Sequence, residues 1–365
     1  MYVLDFMNSH DDWADLLVAE PYFIKISVDE DTGYILLKYN MLVSDLSNPI
    51  VQECRGAIFT KKDDKYICIC RAFDKFFNHG EANAATLDWN SVSVEEKVDG
   101  SLIKFYYYDN RWNIATNGTS DAFKAKTETG DFGQLVAEAL GGEAMRDDFF
   151  KTLNTNYTYM FELVSPKSQV TIYYKETKLY YLGQRNMKTM KEEKDYTAAM
   201  QEYGVLCPKN FPLYTLEDCL TYVNNMTKDE EGFVIKDKFF NRIKLKSPEF
   251  LIAFHCNNNG VITIKRVVDM MKNNQIDDFL AYAPQWRSFV YDIQRRLFVL
   301  ADRYEEGYYA TAPKVHNKRE LADEVAMYDG NEKAFIFRKY NNPSLIAIDY
   351  IMELPTSKIK DLIKD

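Results

Sequence analysis

The sequence predicts an α+β fold in which a β-rich N-terminal domain, residues 1–248, precedes an all-helical domain, residues 249–365. Three observations lead to this prediction. Short alternating or aromatic-rich runs recur up to about residue 245, and turn-forming clusters such as DEDTG and KKDDK separate them. After Lys246, helical spacing replaces alternation. A chain of 365 residues is long enough for two domains of ordinary size.

The predicted strands are runs rich in β-branched and aromatic residues. We predict strands over residues 34–40, 56–60, 66–73, 101–108, 157–164, 169–174, 178–184, 232–237 and 242–246. Two segments in the same half have helical spacing instead, GDFGQLVAEALGGEAMRDDFFKTL and LEDCLTYVNNM. The first of these should break at Gly141-Gly142, because glycine weakens a helix interior.

The C-terminal part predicts helices near residues 262–273, 285–306 and 317–326. The last segment, SLIAIDYIMELPTSKIKDLIKD, also has helical spacing. Pro355 should interrupt it, because proline lacks the amide proton that a helix interior needs.

Composition and charge exclude several classes of protein. The net charge of −10 argues against a surface coated with basic residues, although a local basic groove stays open. The 26 tyrosines and 23 phenylalanines are core residues for the most part, and some can form stacking surfaces for bases. We expect no membrane association, because no apolar run is long enough to span a bilayer.

The N-terminus and the cysteines both predict a cytoplasmic protein. The N-terminal MYVLDFMNSHDDW lacks the basic region of a secretory signal. The six cysteines form no CxxC pair and are expected to be reduced. With only four histidines and no HExxH motif, a structural zinc site is not expected.

The common glycine-based phosphate motifs are absent from the sequence. No glycine is followed by lysine, which excludes a Walker loop, and neither GxGxxG nor GxSxG occurs. If this chain handles nucleotide phosphates, side-chain cations rather than a glycine-rich loop must contact them.

Several cations occur in or beside apolar strands. Lys97 precedes an Asp-Gly turn that does not itself require a lysine, Arg55 begins the run GAIF, and Lys75 lies among phenylalanines. Lys244 and Lys246 are two apart on a predicted strand, so they should share one face. Like charges that close repel each other, so we expect an anion between them.

Two carboxylates lie in similar apolar surroundings. Glu162 is central in MFELV, and Glu231 begins the strand EGFVIKD. A carboxylate in an apolar run is costly unless it meets a cation or hydrogen-bond donors. Together, the cations and carboxylates predict a cleft for a nucleoside triphosphate and a divalent metal.

Each of these features also has an ordinary explanation. Asp-Gly is a common turn with a solvated lysine nearby, and KLK can be a solvated face or a charged edge strand. Glu162 can form a salt bridge, and the ammonium of Lys75 can extend past neighbouring phenylalanines into water. The order and spacing of the whole set is what favours a functional interpretation.

The ordered set ECRG, KFFNxxE, KxDGS, FELVSP, EGFVI and KLKS resembles the covalent nucleotidyltransferases, which include polynucleotide ligases and messenger-RNA capping enzymes. Within that superfamily the chain most resembles the bacteriophage-type RNA ligase 1 family. Arg55 and Lys75 precede Lys97, whereas DNA ligases and capping enzymes usually place the signature arginine after the lysine. The motifs cover residues 53 to 247, and the helical part resembles the family only in general character.

The resemblance implies a nucleotidyltransferase domain in which Lys97 is the nucleophile. It would attack the α-phosphorus of ATP and form a lysyl-AMP, after which AMP passes to an RNA 5′-phosphate and an RNA 3′-hydroxyl displaces it. Because an ammonium cannot attack, the lysine must first lose a proton. The cations implied to assist catalysis and bind phosphates are Arg55, Lys75, Lys244 and Lys246.

The resemblance also implies the other nucleotide and metal contacts. Asp99 and Gly100 would form the turn beneath the nucleotide, and Glu162 would face the ribose. Glu231 would orient Mg²⁺, or Mn²⁺ in its place, and Asp277 and Asp278 would hold metal-bound waters. A solvated helix start explains that aspartate pair equally well.

One position departs from the family pattern. Asn117, in IATNGTS, occupies a place where the family commonly has a basic residue. Its amide can still donate a hydrogen bond to the nucleotide, but it carries no charge. Arg185, after the strand KLYYLGQ, lies where the family often keeps a cation.

The implied function is an ATP-dependent RNA ligase acting on 5′-phosphate and 3′-hydroxyl ends, with cleaved transfer RNA as a candidate substrate. We expect a monomer, located in the host cytoplasm if the source is a phage or a virus. Two alternatives stay open: another covalent nucleotidyltransferase, either a DNA ligase or a GTP-using capping enzyme, and a catalytically silent nucleic-acid binder.

Overall fold

The computed structural model of the chain describes residues 1–127, 130–227, 229–250, 262–272, 275–282 and 284–364. The chain divides into two compact units, Met1–Phe254 and His255–Asp365. In the part of the chain described, every strand precedes Ser247 and only helices follow. The predicted α+β class is therefore confirmed, while the predicted boundary at residue 248 stays a prediction.

The strands of the first unit follow each other in short segments separated by turns. They are β1 Ile24–Val28, β2 Ile35–Tyr39, β3 Arg55–Lys62, β4 Lys65–Cys70, β5 Phe77–Asn78, β6 Ser93–Glu96, β7 Ser101–Tyr108, β8 Arg111–Ala115, β9 Lys126–Thr127, β10 Gly130–Asp131, β11 Tyr157–Val164, β12 Lys178–Asn186, β13 Glu192–Glu193, β14 Asn210–Phe211, β15 Gly232–Lys236 and β16 Arg242–Lys246.

The helices of the first unit are short, and those of the second include one of seven turns. In the first unit they are α1 Tyr2–Ser9, α2 Trp13–Val18, α3 Pro49–Glu53, α4 Phe132–Ala139, α5 Glu143–Thr152, α6 Ala198–Glu202 and α7 Leu216–Val223. In the second they are α8 Ile264–Lys272, α9 Ile276–Tyr282, α10 Arg287–Thr311, α11 Lys318–Glu324, α12 Gly330–Asn341, α13 Ala347–Glu353 and α14 Thr356–Leu362.

The larger sheets of the first unit position the candidate site. One has the order β1-β2-β3-β4, a second β13-β12-β11-β7-β8, and a third β14-β6-β15-β16-β5. A short ladder pairs β9 with β10. The consecutive strands β6 and β7 belong to the third and second sheets, so the link between them passes from one sheet to the other.

Each sheet packs an apolar face against a core. Phe105, Phe161 and Tyr181 of the second sheet form one core with helices α4 and α5. In the third sheet, Phe233 and Leu245 pack against helix α7. The alternation of apolar and charged residues along β15 and β16 thus leaves the opposite face of this sheet for charged side chains.

The second unit packs around helix α10. Tyr304 on this helix is fully buried, and its ring lies 5.8 Å from Phe335 of α12 and 6.3 Å from Tyr350 of α13. The predicted break at Pro355 is confirmed, because α13 ends at Glu353 and α14 begins at Thr356. Among the described residues, no helix has the length and apolar character needed to cross a membrane.

One predicted strand is wrong. Residues 169–174 alternate as a strand would, but they lie in the loop between β11 and β12. The backbone N–H groups of Thr171 and Ile172 both donate to the carboxylate of Asp99 at 2.7 Å, instead of pairing with a neighbouring strand. A tertiary hydrogen bond thus overrides the local pattern.

Gly232 offers a test of the third sheet. Its φ is +138°, and a Cβ added there would lie 2.0 Å from the carbonyl oxygen of Leu245 on β16. Gly204 also has a positive φ of +73°, but a Cβ there would meet nothing within 4 Å. We expect Gly232→Ala to lower the free energy of unfolding by more than about 3 kcal/mol, and Gly204→Ala by only about 1–2 kcal/mol.

Denaturant unfolding of the two variants and the parent measures this difference. Both glycines have a positive φ, +138° at Gly232 and +73° at Gly204, and only Gly232 also has the steric contact with β16. Equal losses in both variants would contradict the assignment of Gly232 to a close approach between β15 and β16.

Candidate active site

Lys97 lies in the link that joins β6 to β7. Its backbone N–H donates to the carbonyl of Gly232 at 2.9 Å. The start of this link is therefore held by β15, the strand that pairs with β6 in the third sheet. The link then turns at Gly100, where an added Cβ would lie 2.4 Å from the carbonyl oxygen of Leu163 on β11. Glycine is therefore required at the turn, and Lys97 is fixed between two sheets.

Asp99 fastens a loop over the same turn. Its carboxylate accepts the two N–H groups of Thr171 and Ile172, and its own N–H donates to the hydroxyl of Tyr174 at 3.3 Å. Burial raises the pKa of Asp99, and the nearby charge of Glu231 raises it further. The Asp-Gly pair thus has a structural task, which is to position both the lysine and the loop.

One carboxylate contacts two lysines. Oε1 of Glu231 lies 2.8 Å from Lys97 Nζ and 2.7 Å from Lys246 Nζ, and the Glu231 side chain is 3% exposed. Burial alone would raise the pKa of Glu231, but the ammonium of Lys246, followed by that of Lys97, holds this pKa below its ordinary value. The anion beside Lys246 is, in this structure, Glu231, whereas the expected anion between Lys244 and Lys246 stays a prediction.

The second oxygen of this carboxylate can accept a metal ion or a hydrogen-bond donor. Glu231 Oε2 is buried and has no hydrogen-bond partner among the described residues. A buried carboxylate oxygen without a partner is costly, and a hard cation or one of its waters would satisfy it.

Glu162 lies on β11, with its Cγ 3.0 Å from the position of a Cβ on Gly100. It is half-buried. Burial raises the pKa of Glu162 to about 8, with Lys97 opposing the shift and Glu231 adding to it. Near neutral pH this side chain is therefore mostly a neutral acid, which can donate a hydrogen bond as well as accept one.

Arg55 begins β3, and its guanidinium carbon lies 4.7 Å from the ring centroid of Phe73. Its Nη1 is buried and, within the described residues, has no hydrogen-bond partner. Next to it, Gly56 has a φ of +71°, and a Cβ there would lie 2.8 Å from the carbonyl oxygen of Asn117. Asn117 Oδ1 is likewise buried without a partner in the described part. A phosphate would suit the guanidinium donor, and a hydroxyl would suit the amide oxygen.

Lys75 and Lys244 extend the cationic surface along the third sheet. Lys75 Nζ lies 4.9 Å from the ring centroid of Phe77, and β5, which contains Phe77, runs parallel to β16. Lys244 is opposite Asn78 in that register. The structure therefore places Lys75 two residues before β5, the strand that pairs with β16 at Lys244.

A network of buried charges lies behind Phe73. Phe73 is also 5.2 Å from the guanidinium carbon of Arg242. Arg242 and Arg185 both bind Glu192, at 2.6 and 2.7 Å. Arg185 is thus part of a structural ion network, and its guanidinium is used there rather than presented alone at a strand end.

The sequence interpretation did not single out Lys104. This lysine of β7 is fully buried, and its ammonium donates to the carbonyl of Gly56. Burial lowers the pKa of Lys104, and the charge of Arg55 lowers it as well. The sequence feature that could have identified Lys104 is a lysine within SLIKFYYY, a strand that is apolar on both faces.

The predicted aspartate pair lies in the second unit. Asp277 and Asp278 begin helix α9, and Asp277 is exposed. Among the described residues, no group of three or more His, Cys, Asp or Glu side chains could hold a metal ion by itself. The assignment of the pair as metal ligands stays a prediction.

The raised pKa of Glu162 predicts a pH dependence of stability. The pKa of this carboxyl is near its ordinary value of 4.5 in the unfolded chain and about 8 in the folded chain. Its contribution is therefore fully present below about pH 4.5 and is lost as the pH rises through 8. We expect Tm to fall from pH 5 to pH 8.5 more steeply in the parent than in Glu162→Gln. Parallel curves in a series of thermal melts would contradict the raised pKa.

Glu231 predicts an asymmetry between variants. Glu231→Gln leaves two ammonium groups without their shared carboxylate, whereas Lys246→Gln leaves the carboxylate paired with Lys97. We expect the first to lower the free energy of unfolding by about 3–5 kcal/mol and the second by clearly less. Urea unfolding at pH 7 measures both. A larger loss in Lys246→Gln would mean that another partner of this lysine matters more than Glu231.

Two relatives of known name are similar to this chain in sequence. The chain is 29% identical, over 289 residues, to a protein of Autographa californica nuclear polyhedrosis virus named as a bifunctional polynucleotide kinase/RNA ligase; the match covers 75% of this chain and 41% of the viral protein. It is 26% identical to an RNA ligase of Rhodothermus phage RM378, over 62% of this chain and 65% of that one. The chain thus spans less than two thirds of either relative.

Among solved structures, an archaeal ATP-dependent RNA ligase is similar with a TM-score of 0.45 and 14% identity, over 93% of this chain and 78% of that one. At these values the likeness carries no conclusion about this chain. The family model described as RNA ligase matches residues 53–250, the segment that holds Arg55, Lys97, Glu231 and Lys246. Since this match covers more than half of the chain, the protein belongs to the phage RNA ligase 1 family.

Proposed function

We propose that the protein is an ATP-dependent RNA ligase that joins 5′-phosphate and 3′-hydroxyl RNA ends through a lysyl-AMP intermediate. One observation carries this proposal: Lys97, in the Lys-x-Asp-Gly link, lies 2.8 Å from a carboxylate that it shares with Lys246. A salt-bridged surface lysine would explain a single contact. It does not explain why Lys97 is fixed between two sheets, beside the second buried cation Lys246. Membership of the RNA ligase family supports the proposal.

In the first step, Lys97 Nζ attacks the α-phosphorus of ATP. A nitrogen–phosphorus bond forms, the bond to pyrophosphate breaks, and the ammonium loses two protons overall. Before the nucleotide binds, Lys97 Nζ is paired with Glu231 at 2.8 Å. Nucleotide phosphates placed beside Lys246 would compete with Glu231 for the two ammonium groups. Binding of the nucleotide therefore weakens the ion pair between Glu231 and Lys97.

The remaining cations are proposed to bind and orient the phosphates. Arg55 has a buried Nη1 that lacks a partner among the described residues, which suits a phosphate oxygen. Lys244 and Lys246 lie on β16 of the third sheet, and Lys75 lies two residues before the neighbouring strand β5. Charge placement of this kind is the main source of catalysis in phosphoryl transfer.

The carboxylates and the amide complete the proposed nucleotide site. Glu162, as a neutral acid near pH 7, can donate to a ribose hydroxyl, and Asn117 Oδ1 can accept from one. The buried Oε2 of Glu231 fits Mg²⁺ or a water bound to it. The metal, when bound, offsets phosphate charge as pyrophosphate leaves.

The later steps use the same centre. AMP moves from Lys97 to the 5′-phosphate of an RNA strand, and the nitrogen–phosphorus bond breaks as a pyrophosphate linkage forms. The 3′-hydroxyl of a second end then attacks the RNA 5′-phosphorus and releases AMP. Repair of cleaved transfer RNA by a cytoplasmic monomer is the setting that we propose for this reaction, on the basis of the family resemblance.

The first test is a covalent adduct. The protein, freed of any bound AMP, is incubated with Mg²⁺ and separately with each ribonucleoside triphosphate, and its intact mass and modified peptide are determined. We expect AMP on Lys97 from ATP alone and no adduct in Lys97→Ala. We also expect this variant to join unactivated RNA ends at least about 1,000-fold more slowly, as on loss of a covalent nucleophile.

Two outcomes would contradict the proposal. A GMP adduct would favour a capping enzyme, and no adduct with any nucleotide would favour a silent nucleic-acid binder. As a control for folding, Lys97→Ala is given RNA that already carries AMP on its 5′-phosphate. Because the last step needs no lysine nucleophile, sealing of this RNA shows that the variant keeps the rest of its site.

A further inference from the structure

The turn between β15 and β16 is a rigid one. The carboxylate of Asp237 accepts the N–H groups of Phe239 at 2.9 Å and of Asn241 at 3.0 Å, and it also accepts the side-chain amide of Asn241 and the N–H of Asp88. Phe240 has a φ of +65°, a left-handed conformation that a bulky residue seldom adopts. A turn fixed so heavily does not adjust to hide its side chains.

This turn exposes an aromatic ring beside cations. Phe239 is 67% exposed, and Lys238 Nζ lies 5.0 Å from its ring centroid. The guanidinium carbon of Arg242 lies 5.6 Å from the Phe240 ring. A single exposed phenylalanine is common on a protein surface, so the feature that sets this one apart is the group of cations around it.

The turn borders a cleft of about 660 Å³ within the first unit. Its charged lining residues are Asp74, Lys75, Arg185, Lys191, Glu192, Lys238 and Arg242. The five cations outnumber the two carboxylates, although the whole chain has a net charge of −10. Arg185 and Arg242 pair with Glu192, and Lys238 Nζ lies 3.0 Å from Asp88, so a smaller excess of positive charge is left among the phenylalanines.

Strand β16 leads from one end of this cleft, at Arg242, to the candidate active site, at Lys246. Arg242, Lys244 and Lys246 are two residues apart on β16 and share a face, so the cleft end and the Glu231 contact are about 13 Å apart. At about 3.4 Å per stacked nucleotide, that distance corresponds to about four nucleotides. Lys75 also lines the cleft, and it lies two residues before β5, the strand that pairs with β16 at Lys244.

We propose that this cleft binds single-stranded RNA a few nucleotides from the end being joined, with a base stacked on Phe239 and backbone phosphates held by Lys191 and Lys238. Flat bases and phosphates are the chemistry that an aromatic ring among cations recognises. This inference rests on the proposed function and extends it by placing the RNA strand.

The test compares two equally exposed aromatic residues. Phe239→Ala removes the stacking ring, and Tyr214→Ala removes a ring that is 68% exposed and does not line the cleft. Transfer of AMP to a 5′-phosphorylated oligonucleotide measures the donor strand. Sealing of a pre-adenylylated donor at varied acceptor concentration measures the acceptor strand. Formation of the Lys97 adduct, which needs no RNA, is the internal reference for both variants.

We expect Phe239→Ala to raise the KM for one of the two strands by about 5- to 100-fold, the range for loss of a base-stacking ring. Tyr214→Ala should match the parent. The effect should disappear with substrates shorter than about four nucleotides, because these do not reach the ring. The strand that shows the effect identifies which end occupies the cleft.

Three results would overturn the inference. They are an unchanged KM for both strands, an equal loss in Tyr214→Ala, and a parallel loss of Lys97 adduct formation, which would assign the cleft to ATP. Absence of the adduct in the parent would instead overturn the proposed function, so the two failures are distinguishable.

A charge variant tests the phosphate contacts separately. Lys191→Gln removes one cation of the cleft, and Lys62→Gln removes an exposed lysine at the end of β3, away from it. In binding titrations of single-stranded RNA at several salt concentrations, the slope of log K against log salt should decrease by about 0.7 for the first variant only. Equal slopes in both variants would remove Lys191 from the RNA contact.

Discussion

The arrangement of the candidate active site depends on the ion pairs that the carboxylate of Glu231 forms with Lys97 and Lys246. This carboxylate is buried, it contacts two ammonium groups, and its pKa lies below the ordinary value although burial acts in the opposite direction. A buried carboxylate is tolerated only where cations approach it closely, and two lysines within 3 Å meet that condition here. The nucleophile candidate is therefore held in place by the charge that it must give up to react.

The backbone is shaped to allow this contact. Lys97, Glu231 and Lys246 come from the ends of adjacent strands of one sheet, and they meet only if β15 and β16 approach closely at Gly232. A similar constraint acts at Gly100, where the link touches β11 of the other sheet. Glycine at both places lets two sheets converge on one lysine, so the strain-prone positions and the reactive groups coincide.

Much of this could be predicted from the sequence, since it depends on local pattern. The alternation in RIKLK predicted a cationic face, and Ile243 and Leu245 do pack in the core. Residues 169–174 could not be predicted, because their alternation is that of a strand and only the Asp99 carboxylate, 72 residues away in sequence, makes them a loop. The two N-terminal helices, α1 and α2, and helix α12 were also not predicted.

Contacts between distant segments set the limit for the site as well. The sequence predicted an unspecified anion between Lys244 and Lys246, and it assigned Glu231 to the nucleotide and the metal rather than to the lysines. The carboxylate of Glu231 contacts both Lys97 and Lys246 because of the register of β15 with β16 and with β6. Arg185 appeared as a cation after a strand, but its partner Glu192 became evident only once β12 and β13 were paired.

Lys104 bears on the uncharged residue at position 117. Its nitrogen donates to the Gly56 carbonyl, and the backbone of Asn117 packs against that glycine, so all three residues meet beside Arg55. Burial lowers the pKa of this lysine, but both the ammonium and the neutral amine have a proton to donate. The hydrogen bond to Gly56 is therefore kept in either protonation state. The residue that follows Arg55 is thus held by a buried donor from β7, next to the backbone of Asn117.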